Sequence, residues 1–263
     1  MEFHIRDLAA TLRTTAPLVQ NITNLVVQND AADAIAAVGG TQITLHTIEE
    51  ARAAAQACAS LALNLGTLDD DLLRCARLAV ETMNERGRPW VLDPVAAGLT
   101  DYRRGAAEEF LALGPAVLKA NASEILTIAG SDRRGRGADS IDPVSAAADA
   151  AADLARRHGC VVVVTGAEDL VTDGRRRIGI ANGHPLMGRM IGSGCMLTSV
   201  TGCFLAVGDD AFDAAVCAVA SFDVAGETAA ERAAGPGTLK PLLIDALDAQ
   251  TGSDVEARLR LAA

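Results

Sequence analysis

Rings are scarce in this chain: one Trp, one Tyr and five Phe make up 3% of 263 residues. Positive charge is also short, with 23 Lys and Arg against 34 Asp and Glu, a net charge of −11 and a pI near 4.8. Such a balance argues against general binding to nucleic acid or an anionic membrane. Any anionic ligand must be held by local donors: helix ends, a metal or a few cations. No uncharged apolar run approaches the ~20 residues of a membrane span. The first residues, MEFHIRDLAATLR, lack the basic and apolar regions of a signal peptide. The six cysteines, Cys58, Cys75, Cys160, Cys195, Cys203 and Cys217, form no CxxC pair. That excludes a disulfide framework or zinc site and points to reduced thiols in the cytoplasm. Neither a linker nor an internal repeat divides the chain, so residues 1–263 read as one domain.

What is present is apolar and small. Half of the residues are hydrophobic, mostly Ala, Leu and Val, which suits an α/β protein with Ala-rich helices. Helices are predicted over 2–14, 29–38, 48–60 (with Thr47 as cap), 69–86, 104–113, 121–129 and 143–157. Strands are predicted over 17–23, 42–45, 61–65, 89–92, 117–119 and 161–165. The run Val161–Thr165, VVVVT, is what a strand buried on both faces requires. A hairpin is expected around Asp173-Gly174, then helices at 195–207, 211–233, 238–247 and 253–261. Ser131–Ser140 reads as a flexible loop. Strand and helix alternate, so a parallel sheet flanked by helices follows, with ligands at the carboxyl ends of its strands.

Polar residues stand at those ends. Asn21 and Asn24 follow the first strand, Gly66 and Thr67 a second, and Asp93 follows Trp90-Val91-Leu92. Asn121 and Glu124 follow 117–119, and Thr165 closes VVVVT. Each alone would be an ordinary cap or turn residue. Together they outline a site, in which Asp93 and Glu124 could hold a hydrated Mg²⁺. Residues 182–207, NGHPLMGRMIGSGCMLTSVTGCFLAV, supply the rest. Gly192-Ser193-Gly194 run into an apolar helix whose first amides form an anion site. Cys195 sits at that helix end, where a thiol pKa tends to fall.

QNITN (20–24), LNLGTL (63–68), VLDPVAAG (91–98), KANASEI (119–125), VVTG (163–166), VTDG (171–174) and NGHPLM…GSGCML (182–197) resemble hydroxyethylthiazole kinase in order and spacing. The resemblance covers nearly the whole chain. It implies a ribokinase-like three-layer α/β/α sandwich with a central, mostly parallel sheet. It further implies transfer of the ATP γ-phosphate to the primary alcohol of 4-methyl-5-(2-hydroxyethyl)thiazole in thiamine biosynthesis. It implies a homotrimer with active sites between subunits. By motif, Gly192, Ser193, Gly194 and Cys195 would face the γ-phosphate, with Cys195 in the place of the catalytic Asp of ribokinase relatives. Asp93 and Glu124 would organise Mg²⁺; Lys119, Asn121 and Thr165 would contact ATP; Asn24, Thr44, Gly66 and Gly194 would line the substrate pocket.

The chain departs from the family pattern in places. Thr41-Gln42-Ile43-Thr44 replaces Ser-Pro-Val-Met, so Thr44 stands where the family's Met packs on the thiazole ring. Lys119 replaces an Arg, a point charge for a planar fork. The GSGC for GTGC and DPVAAG for DPVGAG changes leave backbone donors in place. Two other readings stay open: a ribokinase-like kinase of another heterocyclic alcohol such as a hydroxymethylpyrimidine, and a weakly catalytic protein that binds a thiamine precursor.

Overall fold

The computed structural model describes residues 3–45, 47–130 and 143–262. Its elements run α1 (Ile5–Thr15), β1 (Leu18–Ile22), α2 (Gln28–Ala37), β2 (Thr41–Thr44), α3 (Ile48–Ala57), β3 (Ser60–Asn64), α4 (Asp70–Glu85) and β4 (Trp90–Asp93). They continue with α5 (Asp101–Ala112), β5 (Val117–Asn121), α6 (Ala122–Ile128), α7 (Val144–His158), β6 (Val161–Thr165), β7 (Asp169–Thr172) and β8 (Arg177–Ile180). Last come α8 (Ser193–Leu205), α9 (Ala211–Ala230), α10 (Pro236–Ala249), α11 (Gly252–Arg258) and β9 (Leu261–Ala262).

The strands form one sheet in the order β2-β1-β3-β4-β5-β6-β7-β8-β9. β2 through β6 are parallel and the last three strands antiparallel. Side chains alternate between two apolar layers, as the period of two requires. Ala62, Val91, Val117 and Val163 face one core with α2, α8, α9 and α10. Leu61, Leu63, Trp90, Leu92, Leu118 and Val162 face the other with α3, α4, α5 and α7. This is the expected three-layer sandwich. Every residue of β3 and β4 is buried, which explains their continuous apolar reading.

Register sets the site. Thr44 pairs with Asn21, Asn64 with Asp93 and Asn121 with Thr165. The polar residues that end the strands therefore form one row along the carboxyl edge. Strand order reverses at β1, which lies between β2 and β3, and such a switch opens a crevice for ligands. On one face α8 lies close to the sheet. A Cβ on Gly202 would meet Ala62 Cβ at 3.2 Å and Val19 Cγ1 at 3.3 Å, so glycine permits the approach.

Element boundaries mostly shift by one to three residues from the sequence reading. The expected final helix over 253–261 is instead α11, which stops at Arg258, followed by β9 pairing with β8. The hydroxyl of Thr47 donates to Glu50 Oε2 at 2.7 Å rather than capping the backbone of α3. The predicted loop Ser131–Ser140 lies outside the described residues.

Candidate active site

Asp93 is the centre of the carboxyl-edge row. Its Oδ2 accepts from Asn64 Nδ2 at 2.7 Å, Lys119 Nζ at 2.9 Å and Thr198 Oγ1 at 2.6 Å. β3, β5 and α8 each contribute one of these donors. Asp93 is 1% exposed and Lys119, one of only two lysines in the chain, 4%. Burial alone would push the Lys119 ammonium down; the acidic groups around it, Asp93 first, outweigh that and hold it above its ordinary value. Lys119 Nζ also donates to Gly194 O at 3.0 Å, which ties β5 to the start of α8.

The first turn of α8 is held open by glycine. Gly192 has φ +89°, and a Cβ there would fall 2.1 Å from Val27 Cγ1. The Met196 N–H bonds Gly192 O, so the Gly194 and Cys195 N–H groups have no acceptor within the helix. Ser193 N–H is turned back to Met190 O at 3.3 Å. The anion donors at this end are therefore the amides of Gly194 and Cys195, with Lys119 beside them.

The Cys195 sulfur accepts from Asn24 Nδ2 at 3.3 Å. Contrary to the expectation for a helix end, its thiol is raised above the ordinary cysteine range. Burial is the main cause and the Asp93 charge the second; together they outweigh Lys119 and the amides of Asn64 and Asn24. Cys195 is thus a neutral thiol in the resting site. The other five cysteines are buried and all six are free.

Glu124 stands at the first turn of α6, locked by a capping box with Asn121: Asn121 Oδ1 accepts from Glu124 N at 3.0 Å, and Glu124 Oε2 from Asn121 N at 2.9 Å. Its Oε1 accepts from Ala96 N at 2.7 Å. Burial, with the Asp93 charge second, pushes this carboxyl up to about 7. Among the described residues no three His, Cys, Asp or Glu gather to hold a metal. Asp93 and Glu124 are a two-carboxylate donor set, which suits an ion that keeps waters and takes phosphate oxygens, as Mg²⁺ does.

The other expected residues lie at stated distances along the row. Thr165 is the register partner of Asn121. The Thr44 hydroxyl donates to Gln42 Oε1 at 2.6 Å and receives a long contact from Asn21 Nδ2 at 3.5 Å. Asn21 Oδ1 in turn accepts from Ser199 Oγ of α8 at 3.0 Å. Gly66 N donates to Asn64 Oδ1 at 2.9 Å. Leu25, Val26 and Ile191 flank this edge largely exposed, Ile191 at 72%. A cleft of about 460 Å³ at the opposite end, between Arg88 and Asp209, contains none of these residues.

Sequence reading missed Asn64, Thr198 and Arg103. Arg103 donates to Leu65 O, Val95 O and Gly66 O at 2.8–3.0 Å and binds two strand-exit loops together. The clue to Asn64 was available, since an amide inside the apolar strand Leu61–Leu65 has to be paired.

Comparison with known proteins places these features in context. Residues 9–252 match the Hydroxyethylthiazole kinase family. A hydroxyethylthiazole kinase of Cereibacter sphaeroides is 47% identical over 253 residues, 96% of each chain. One from Granulibacter bethesdensis is 46% identical over 240 residues, 91% of this chain and 88% of that one. The solved hydroxyethylthiazole kinase structure from Pyrococcus horikoshii superposes with a TM-score of 0.91 at 36% identity, covering 98% of each chain. A Staphylococcus aureus pyridoxal kinase, at 14% identity and a TM-score of 0.63, shares the fold over 80% of this chain and 88% of its own.

Proposed function

The chain belongs to the hydroxyethylthiazole kinase family, and from that premise we propose that it transfers the γ-phosphate of ATP to the primary alcohol of 4-methyl-5-(2-hydroxyethyl)thiazole in thiamine biosynthesis or salvage. The observation that carries the reading is the convergence of Cys195, the Gly194 and Cys195 amides, Lys119 and Asp93 on one point of the carboxyl edge. Phosphoryl transfer runs through a loose transition state, so holding charge and geometry matters more than a strong base. The α8 amides and Lys119 meet the phosphoryl oxygens. The Cys195 sulfur orients the attacking hydroxyl; because the thiol is neutral, the hydroxyl proton leaves late in the step, to an oxygen of the transferred phosphoryl group. Asp93 and Glu124 would hold Mg²⁺ through water; when bound, the ion neutralises phosphate charge on this acidic protein. Asn121 and Thr165 line the ATP side, and Asn24, Thr44, Gly66 and Gly194 the alcohol side.

The chain acts as one kinase domain in the cytoplasm and assembles as a homotrimer with sites at subunit contacts. The exposed Leu25, Val26 and Ile191 beside the site support that assembly: Val27 packs against Gly192, so the three adjoin, and a contiguous apolar patch gains from being covered. Among the described residues no helix is long and apolar enough to cross a membrane.

A coupled assay of ADP release tests the activity. Turnover with hydroxyethylthiazole well above that with a hydroxymethylpyrimidine supports the reading; the reverse order assigns another alcohol. Thiazole binding without ADP release would make the protein a precursor-binding one. Thr44 shapes preference within this reading. Its hydroxyl is held by Gln42, a polar pair where the family carries a methionine on the ring. Thr44→Met adds roughly 40 Å² of apolar contact, about 1 kcal/mol, so KM for the thiazole should fall roughly fivefold. An unchanged KM would place Thr44 outside the ring pocket.

A further inference from the structure

Two amide side chains separate the thiol of Cys195 from the carboxylate of Asp93, and backbone donors fix how each is turned. Asn24 Oδ1 accepts the Val26 N–H at 3.0 Å, so the Asn24 amine must face the other way. There it donates to Cys195 Sγ at 3.3 Å and to Asn64 Oδ1 at 2.9 Å. Asn64 Oδ1 also accepts the Gly66 N–H at 2.9 Å. The Asn64 amine is thereby left for Asp93 Oδ2, at 2.7 Å. Every proton in the relay is forced by a group that can only donate. Asn64 is 1% exposed, so solvent cannot stand in for a lost partner.

We propose that Asn64 is the positioning residue of this site: its amide fixes how Asn24 and Asp93 face the reacting groups, and so sets the hydrogen bond that Cys195 receives. The role rests on the kinase reading above. It deepens that reading by joining the thiol and the carboxylate into one unit whose geometry is set by the Val26 and Gly66 backbone amides. Among the described residues, the Asn64 side chain alone hydrogen-bonds both the Asp93 carboxylate and Asn24, the partner of Cys195. An apolar side chain could fill the same space, but it could not accept from Asn24 while donating to Asp93.

Asn64→Asp keeps the shape and the accepting oxygen and replaces only the amine, which brings two carboxylates face to face. The expected result is a fall in kcat of roughly 10–100-fold with KM for ATP within about twofold. Reaction of Cys195 with iodoacetamide at fixed pH should slow about threefold or more, because added negative charge and a loosened Asn24 both disfavour the thiolate. Cys195 is the one cysteine that is not buried, so alkylation reports on it, and Cys195→Ala gives the blank. Asn64→Ala removes both contacts without adding charge and serves if Asn64→Asp does not fold; the same two changes are expected. The alkylation arm needs no substrate, so it decides the role of Asn64 even if wild type proves inactive on the thiazole. A kcat within twofold of wild type and an unchanged alkylation rate, with only the melting temperature lowered, would make Asn64 a packing residue and overturn the proposal.

Discussion

Asp93 ends β4 and Asp169 begins β7; both are buried in the same sheet, yet their surroundings differ in kind. Asp93 meets an ammonium, an amide and a hydroxyl, all donors. Asp169 accepts one backbone N–H, from Gly166 at 2.8 Å, and faces a second buried acid, Asp223 of α9. Asp223 Oδ2 has no hydrogen-bond partner among the described residues. Two ends of one motif reach these two places: Gly192–Cys195 stand near Asp93, and a Cβ on Gly183 would lie 3.7 Å from the Asp223 carboxyl. The contrast shows how a buried carboxyl is made usable. Supplied with an ammonium, an amide and a hydroxyl, the first has its burial compensated by hydrogen bonds; without a cation at hand, the second keeps a proton and shares it with its neighbour.

The strongest way to break the contrast is Asp93→Asn. It should lower kcat by about a thousandfold or more, and it takes away the ion-pair partner of the buried Lys119 charge, at about 3–5 kcal/mol of stability. Adding Lys119→Met to Asp93→Asn separates the two losses. Stability should largely return, since a buried pair replaced by apolar volume is often neutral, while activity should not. Urea unfolding and steady-state kinetics on the single and double variants check this. Recovery of activity in the double variant would show that Asp93 acts only by balancing Lys119.

Cys195→Ala is smaller and purely kinetic. It removes the orienting sulfur and leaves the helix amides, so kcat should fall roughly 10–100-fold while KM for ATP hardly moves. An unchanged kcat would remove Cys195 from the mechanism.

Much of this was legible from the chain. Alternating strands and helices gave the parallel sheet, and turn residues after each strand marked Asn24, Asp93, Asn121, Glu124 and Thr165; register aligns Asp93, Asn121 and Thr165, and side-chain bonds join Asn24 and Glu124 to that row. Such residues are readable because strand exits interrupt apolar runs. Asn64, Thr198 and Asp223 are not readable in that way. Thr198 lies mid-helix in MLTSV and is given its role by a carboxylate 105 positions away. The raised thiol of Cys195 was also out of reach: a helix end argues for a low pKa, and only the packed structure shows that burial and Asp93 prevail. Asp223 did leave a trace, one acid in the run AVASFDVAG, but its partner is 54 positions back, on β7, since 223 − 169 = 54.

The smallest effect sharpens the other side of the comparison. Asp169 is pushed up to about 7 chiefly by burial, and Asp223 is raised by burial and by the charges of Asp169 and Glu227. The remaining neighbours are the Gly166 amide and the distant Lys119, which lower Asp169, and the Gly183 turn. Unfolded, both acids titrate near 4. Between about 4 and 7 the folded protein therefore holds more protons than the unfolded chain. Asp169's contribution is fully present below about 4 and is lost as pH rises through about 7, and Asp223's raised carboxyl acts in the same direction. Asp223→Asn keeps the shape, donates to Asp169 without a titrating proton and removes Asp223's share of that slope. Urea unfolding should show the variant close to wild type at pH 5.5 and more stable by about 1–2 kcal/mol at pH 8.5. A difference that is the same at both pH values would mean that the two carboxyls do not share a proton, and the contrast with Asp93 would then rest on geometry alone.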